Sequence, residues 1–200
     1  MKQYANITTT SHATSSASEL EAVLEEDLND VAQWVDENKL VLNAKKTQLL
    51  LLGRKGRTKE LEDVSVTLND EQLPRSRMVK CLGVSIDNEL MWREHVDSLK
   101  KKCYCGLAKL RRLREVLPPE TKKVYNAPVL PHLDYCSVVW QECTKELQQK
   151  VERIQNYGMR LILSKPPWTA SSDLRVTLKC TPFTESGRLL RMALVHRCAS

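Results

Sequence analysis

A chain of 200 residues, 42% hydrophobic and +6 in formal charge, suits one or two small domains with a buried core. It has no run of roughly eighteen apolar residues, which excludes a transmembrane helix, and its Thr/Ser/Ala-rich start is not a charged-then-apolar leader, so an intracellular protein is expected. The charge is uneven: residues 1–40 hold two lysines against eight acids, a net of −6, which leaves +12 on residues 41–200 and favours a polyanionic partner.

Residues 1–17 read as irregular or weakly extended. Ser18 opens a helix, and with Glu21 it forms a capping box in which hydroxyl and carboxylate each accept from an orphan backbone N–H. Leu20, Leu24, Leu28, Val31 and Val35 recur at three and four, so one face is apolar. Glu25, Glu26, Asp27 and Asp30 line the other side, and Asn38 is the expected stop. Leu40-Val41-Leu42 and the stretch from Gln48 to Leu52 read as short strands around a turn from Asn43 to Lys46. Gly53 to Arg57 is a basic turn. Val64 to Leu68 alternates as a half-buried strand does. A turn at Asn69-Asp70-Glu71 follows, then a return strand from Val79 to Ile86 in which Gly83 marks a bulge or a close backbone approach.

From Trp92 onward the pattern is helical. Val96, Leu99, Cys103, Leu107, Leu110 and Leu117 form a stripe that Pro118-Pro119 ends. Thr121 to Tyr125 and Leu130 to Trp140 read as broken helix around Pro128 and Pro131. Lys145 to Leu163 is a further helix with Leu147, Val151, Ile154, Leu161 and Ile162 inward, stopped by Pro166-Pro167. Glu185 to Cys198 is a last amphipathic segment. The fold class expected is therefore α+β, with helix and antiparallel strands in residues 1–90 and helices alone in residues 91–200.

Seven cysteines raise zinc and disulfides, and the spacing argues against both. Cys103 and Cys105 point to different faces of one helix. Cys136 and Cys143 flank Trp140, and no pair of C-x-x-C knuckles exists. Free, mostly buried thiols are expected.

Four blocks in order carry a resemblance. Tyr4-Ala5-Asn6-Ile7-Thr8 stands where a Tyr-Ala-Asp-Asp-Thr turn would be. Trp34, Leu40, Asn43, Lys46 and Thr47 follow at set spacing. Cys81-Leu82-Gly83-Val84-Ser85-Ile86-Asp87 precedes Leu90, Trp92 and His95. Leu130-Pro131, Leu133, Tyr135 and Trp140 come later, with Val151, Gln155, Arg160 and Ile162 beyond. This order resembles the second half of the reverse transcriptase of a jockey-like non-LTR retrotransposon.

The resemblance implies a small antiparallel palm remnant in residues 1–90 and a helical thumb in residues 91–200. The family holds two Mg²⁺ ions on carboxylates, because hard cations need hard oxygen ligands. Here Asn6 offers an uncharged amide and Ile7 a hydrocarbon, so no catalytic residue is intact, no metal site or cofactor is expected, and the chain is read as a truncated, inactive polymerase. Lys46 matches a lysine proposed to protonate pyrophosphate, and without metals it reduces to a surface lysine closing a turn. The resemblance places Lys80 and Gly83 at the primer strand. Lys100, Lys101, Lys102, Lys109, Arg111, Arg112 and Arg114 then form either a phosphate-following thumb flank or a plain solvated face. His95 reads as a packing or capping histidine. An RNA–DNA hybrid or other nucleic acid is the implied partner, with no membrane involved and the oligomeric state open. Two alternatives stand beside this reading: a piece of a working polymerase, and a helical module recruited for protein interaction.

Overall fold

The computed structural model describes residues 2–4, 7–14, 16–53, 64–69, 71–113 and 129–185. The chain is α+β and divides into two compact units, Met1–Cys81 with Ile86–Leu90, and Leu82–Ser85 with Met91–Ser200.

The first unit opens with a hairpin, in a stretch expected to be irregular or weakly extended. Strands β1 (Lys2–Tyr4) and β2 (Ile7–Thr9) pair antiparallel, Lys2 with Thr9 and Tyr4 with Ile7. Helix α1 (Ala17–Glu37) follows. Its apolar stripe is as expected: Leu24 and Val31 are buried, and Leu20 and Leu28 pack beside the core. The capping box does not form. The N-cap is Ser16 with no side-chain cap bond, and Glu19 accepts a short bond from the Thr14 hydroxyl instead.

Glu21 turns away from Ser18 to accept from the backbone N–H of Ser65 at 2.6 Å, and Glu25 accepts from the Thr67 hydroxyl at 3.0 Å. The match is geometric. Four helical residues rise about 6 Å and two strand residues about 6.6 Å, so i and i+4 carboxylates meet alternate residues of an extended segment. The acidic flank of α1 is thus partly a clamp on the unpaired edge of the next strand.

Helix α1 ends in a Schellman motif. Leu40 N–H bonds Val35 O at 2.9 Å, Lys39 N–H bonds Asp36 O at 2.9 Å, and Lys39 holds φ +55°. A lysine in that left-handed position is strained where glycine is not. Lys39→Gly is therefore expected to raise stability by about 0.5–1 kcal/mol, read as a higher urea midpoint at unchanged slope.

The two short strands expected after α1 do not form. Val41 is 94% exposed, and residues 44–46 make a turn of 3-10 helix. Leu49 alone makes an isolated parallel bridge, with Arg75. The Schellman turn throws Leu40 and Val41 into solvent, where no strand among the described residues offers ladder bonds. Val64, Val66 and Leu68 are buried between exposed Ser65 and Thr67, as the alternation required. They form a core with Leu24, Leu51 and Leu73. Thr67–Leu68 (β3) pairs antiparallel with Glu71–Gln72 (β4). The basic turn from Gly53 to Arg57 lies, Gly53 apart, outside the described residues.

The expected return strand is in fact a hairpin. Met78–Cys81 (β5) and Val84–Asp87 (β6) form a two-stranded sheet around Leu82 and Gly83, at φ +47° and +86°. Two positive φ values at the centre of a two-residue loop mark a type I′ turn. Gly83 is a turn glycine and not a bulge.

In the second unit, α2 (Arg93–Leu113) buries Val96, Leu99, Cys103, Leu107 and Leu110, the expected stripe. Leu117, Pro118-Pro119, Arg114 and Thr121–Tyr125 lie outside the described residues. Helix α3 (Leu130–Asp134) tolerates Pro131 in its first turn, where no N–H is needed. The break before α4 (Ser137–Trp140) falls at Cys136, at φ +51°, and not at Pro131. Helix α5 (Lys145–Leu163) packs on α2 and on α6 (Ser171–Leu178), burying Leu147, Val151, Ile154, Met159 and Leu161. Most of the last amphipathic segment lies outside the described residues.

Helices α2 and α5 run parallel. Arg93 in the first turn of α2 acts with Lys150 to hold the Glu146 carboxyl, in the first turn of α5, below its ordinary range; Lys150, at 2.9 Å, is the larger influence. Eleven residues further along both helices, Tyr104 meets Tyr157.

Among the described residues six cysteines are free. Cys103 faces the core and Cys105 solvent, as their spacing required, and burial pushes the Cys103 thiol up to about 11. Fewer are buried than expected: Cys103 and Cys143 are, while Cys81, Cys136 and Cys180 are half-buried.

Candidate nucleic-acid interface

The residues singled out from sequence fall in four places. At the first hairpin, Ile7 begins β2 opposite Tyr4. Asn6 itself lies outside the described residues. These residue types do not fit a magnesium ion: an amide carries no charge and isoleucine has no side-chain oxygen. Among the described residues, no group of three or more His, Cys, Asp or Glu gathers to hold an ion.

Lys46 is exposed in the 3-10 turn that Asn43 organises. Asn43 O accepts from the N–H groups of Lys46 and Thr47 at 3.0 and 3.1 Å and from the Thr47 hydroxyl at 3.1 Å. Asn43 Oδ1 also accepts from Lys46 N–H at 3.2 Å. The Asn-x-x-Lys-Thr spacing is thus explained locally, as a self-capped turn that holds up a lysine. Trp34 and Leu40 of the same block are exposed.

The third place is the tip of the β5–β6 hairpin. Lys80 and Gly83 are both exposed. On the side where a Cβ would stand, Gly83 faces the Tyr135 ring at 3.6 Å. The Tyr135 hydroxyl donates to Leu82 O at 2.5 Å, and Trp140 Nε1 donates to Tyr135 O at 3.0 Å. Trp140 is fully buried, with His95 tilted against it at 5.3 Å between ring centroids and Phe183 stacked on it at 5.1 Å. His95 Nδ1 accepts from the Ser85 N–H at 3.3 Å, so the neutral ring carries its proton on Nε2. Three aromatic side chains therefore fasten the hairpin tip to the helical unit. The glycine serves the turn, and the close neighbour is a tyrosine of the same chain.

His95 is the packing histidine expected. Burial first, and then the Lys102 ammonium, lower it below its ordinary 6.5. A lowered folded value means that the unfolded chain takes up the proton first on acidification. The stabilising contribution is whole above about pH 6.5 and fades as pH falls through the folded value. Urea midpoints between pH 7.5 and 5 should drop, and His95→Phe should remove that part of the fall.

The fourth place is α2. Lys100, Lys101, Lys102, Lys109, Arg111 and Arg112 are all exposed, and Arg114 lies outside the described residues. None of the six is ion-paired within the described residues. With helical spacing they wrap the whole surface opposite the buried stripe and do not form one edge.

Sequence reasoning missed several polar ties. Gln155 and Arg160, read as packing residues, hold the chain that follows α5. Gln155 Nε2 donates to Thr181 O at 3.1 Å, and Arg160 Nη2 to Thr169 O at 3.0 Å. Gln141 Nε2 donates to Thr184 O at 2.6 Å. A polar residue recurring on an apolar face was the available signal.

Comparison with known proteins finds retrotransposon relatives. The chain is 27% identical over 161 residues to the RNA-directed DNA polymerase from mobile element jockey of Drosophila funebris, over 78% of this chain and 17% of that protein. It is 28% identical over 135 residues to the retrovirus-related Pol polyprotein from type-1 retrotransposable element R1 2 of Nasonia vitripennis, over 64% of this chain and 32% of that protein. The chain thus spans under a third of the length of either relative. No family model and no solved structure matches it. The chain is thus similar to part of each of two retrotransposon polymerase proteins.

Proposed function

We propose that this stretch of chain corresponds to the later palm and the thumb of a non-LTR reverse transcriptase, that it does not polymerise by itself, and that it binds a template–primer duplex through its phosphates. The observation that carries the reading is α2. Six cations with no ion-pair partner among the described residues stand exposed on a helix that five buried residues anchor to a core. Such a surface supplies affinity for a phosphate backbone without base choice.

The inactive half of the proposal rests on Asn6 and Ile7. Replacing two acids by an amide and a hydrocarbon removes the charge that would hold the metals, a loss of several kcal/mol in transition-state stabilisation, and each ~1.4 kcal/mol is tenfold in rate. Primer extension with Mg²⁺ or Mn²⁺ should give no templated incorporation above a protein-free control; incorporation would overturn that half. A labelled RNA–DNA hybrid should bind at low salt and dissociate along a straight log–log salt plot. No binding at low salt would overturn the other.

A further inference from the structure

We infer that the parallel pair α2–α5 carries an aromatic platform, Tyr104 with Tyr157, that stacks the unpaired bases of a single-stranded nucleic acid. The two rings lie 5.9 Å apart at 44° and are 39% and 38% exposed. Neither hydroxyl has a hydrogen-bond partner within the described residues, although a tyrosine that serves a core finds one. Cations surround the pair. Lys100 and Lys101 stand one turn before Tyr104, Arg111 two turns after it, and Arg153 one turn before Tyr157, all exposed. Asp97, two turns back, is an acid on the same face. Arg160, one turn past Tyr157, ties down the loop that carries Trp168, which is 84% exposed.

Exposed rings inside a basic rim are the surface that single strands use, with phosphates on the cations and bases on the rings. A duplex hides its base faces, so the rings discriminate for unpaired segments, where the cations alone do not. The inference rests on the phosphate-binding reading above and adds the ligand's single-stranded character to it.

The test compares a roughly twelve-nucleotide oligonucleotide with a hybrid duplex, by fluorescence anisotropy on the wild-type chain, Tyr104→Ala/Tyr157→Ala and Tyr104→Phe/Tyr157→Phe. The alanine pair should weaken oligonucleotide binding roughly 10- to 100-fold, at an unchanged salt slope, while hybrid binding changes less than about twofold. The phenylalanine pair keeps both rings and should bind like wild type, which separates stacking from a loss of folding. Equal oligonucleotide binding by the alanine pair and wild type overturns the platform and leaves the phosphate reading standing. Failure of wild type to bind either ligand at low salt overturns both.

Discussion

Trp140→Ala should destabilise the helical unit by about 3–5 kcal/mol, the range for losing a buried indole. The side chain is wholly enclosed, stacks on Phe183 and meets His95 at a tilt, while its N–H closes on the Tyr135 carbonyl. Removal leaves a cavity, strands the carbonyl and unseats the ring that holds His95. The effect extends to the hairpin tip, because Tyr135 and His95 are what fasten Leu82 and Ser85. Two measurements check this. Urea denaturation should show the lowered midpoint, and amide exchange at Ser85 should quicken well before global unfolding does. Trp140→Phe keeps a ring and should cost less than the alanine change. An alanine variant as stable as wild type would show that the aromatic cluster does not hold this unit together.

The second large effect concerns binding. Lys100→Glu/Lys101→Glu/Lys102→Glu should cut affinity for an RNA–DNA hybrid on the order of 10²-fold at about 0.1 M salt and flatten the log–log salt slope by about 2–3. All three side chains are exposed, so the variant should keep its fold. It also carries an internal check. Lys102 is the second of the two influences that lower His95, after burial, so its reversal should move His95 back toward its ordinary 6.5 and shrink the loss of stability on acidification. A variant that shows the His95 shift yet binds the hybrid like wild type would leave α2 a plain solvated face. In that event the phosphate reading fails at its strongest point.

Periodicity served the buried positions well. The stripes of α1, α2 and α5 and the Val64–Val66–Leu68 alternation all point inward, because each element must hide one face from water at its own repeat. The glycine-centred turn and the free thiols were partly legible too. What failed depended on neighbours. Leu40-Val41-Leu42 has strand-forming residues but pairs with no strand among the described residues: after the left-handed Lys39, Leu40 and Val41 stand in solvent and only Leu42 packs beside the core. Ser18 and Glu21 have capping-box spacing, yet Glu21 finds a stronger use 44 residues away, on an unpaired edge. Gln155 and Arg160 could not be told from packing residues without the loops they bind.

Residue order alone carried the likeness to retrotransposon polymerases and the absence of a carboxylate at Asn6 and Ile7, because a side chain without an acid lacks one in any conformation. Tertiary structure decided what the other residues are for. It placed Gly83 at the corner of a hairpin, gave Tyr135 and His95 the task of holding its tip, and brought Tyr104 to Tyr157. Those roles depend on which surfaces meet across dozens of residues, and a one-dimensional repeat carries no information about that meeting.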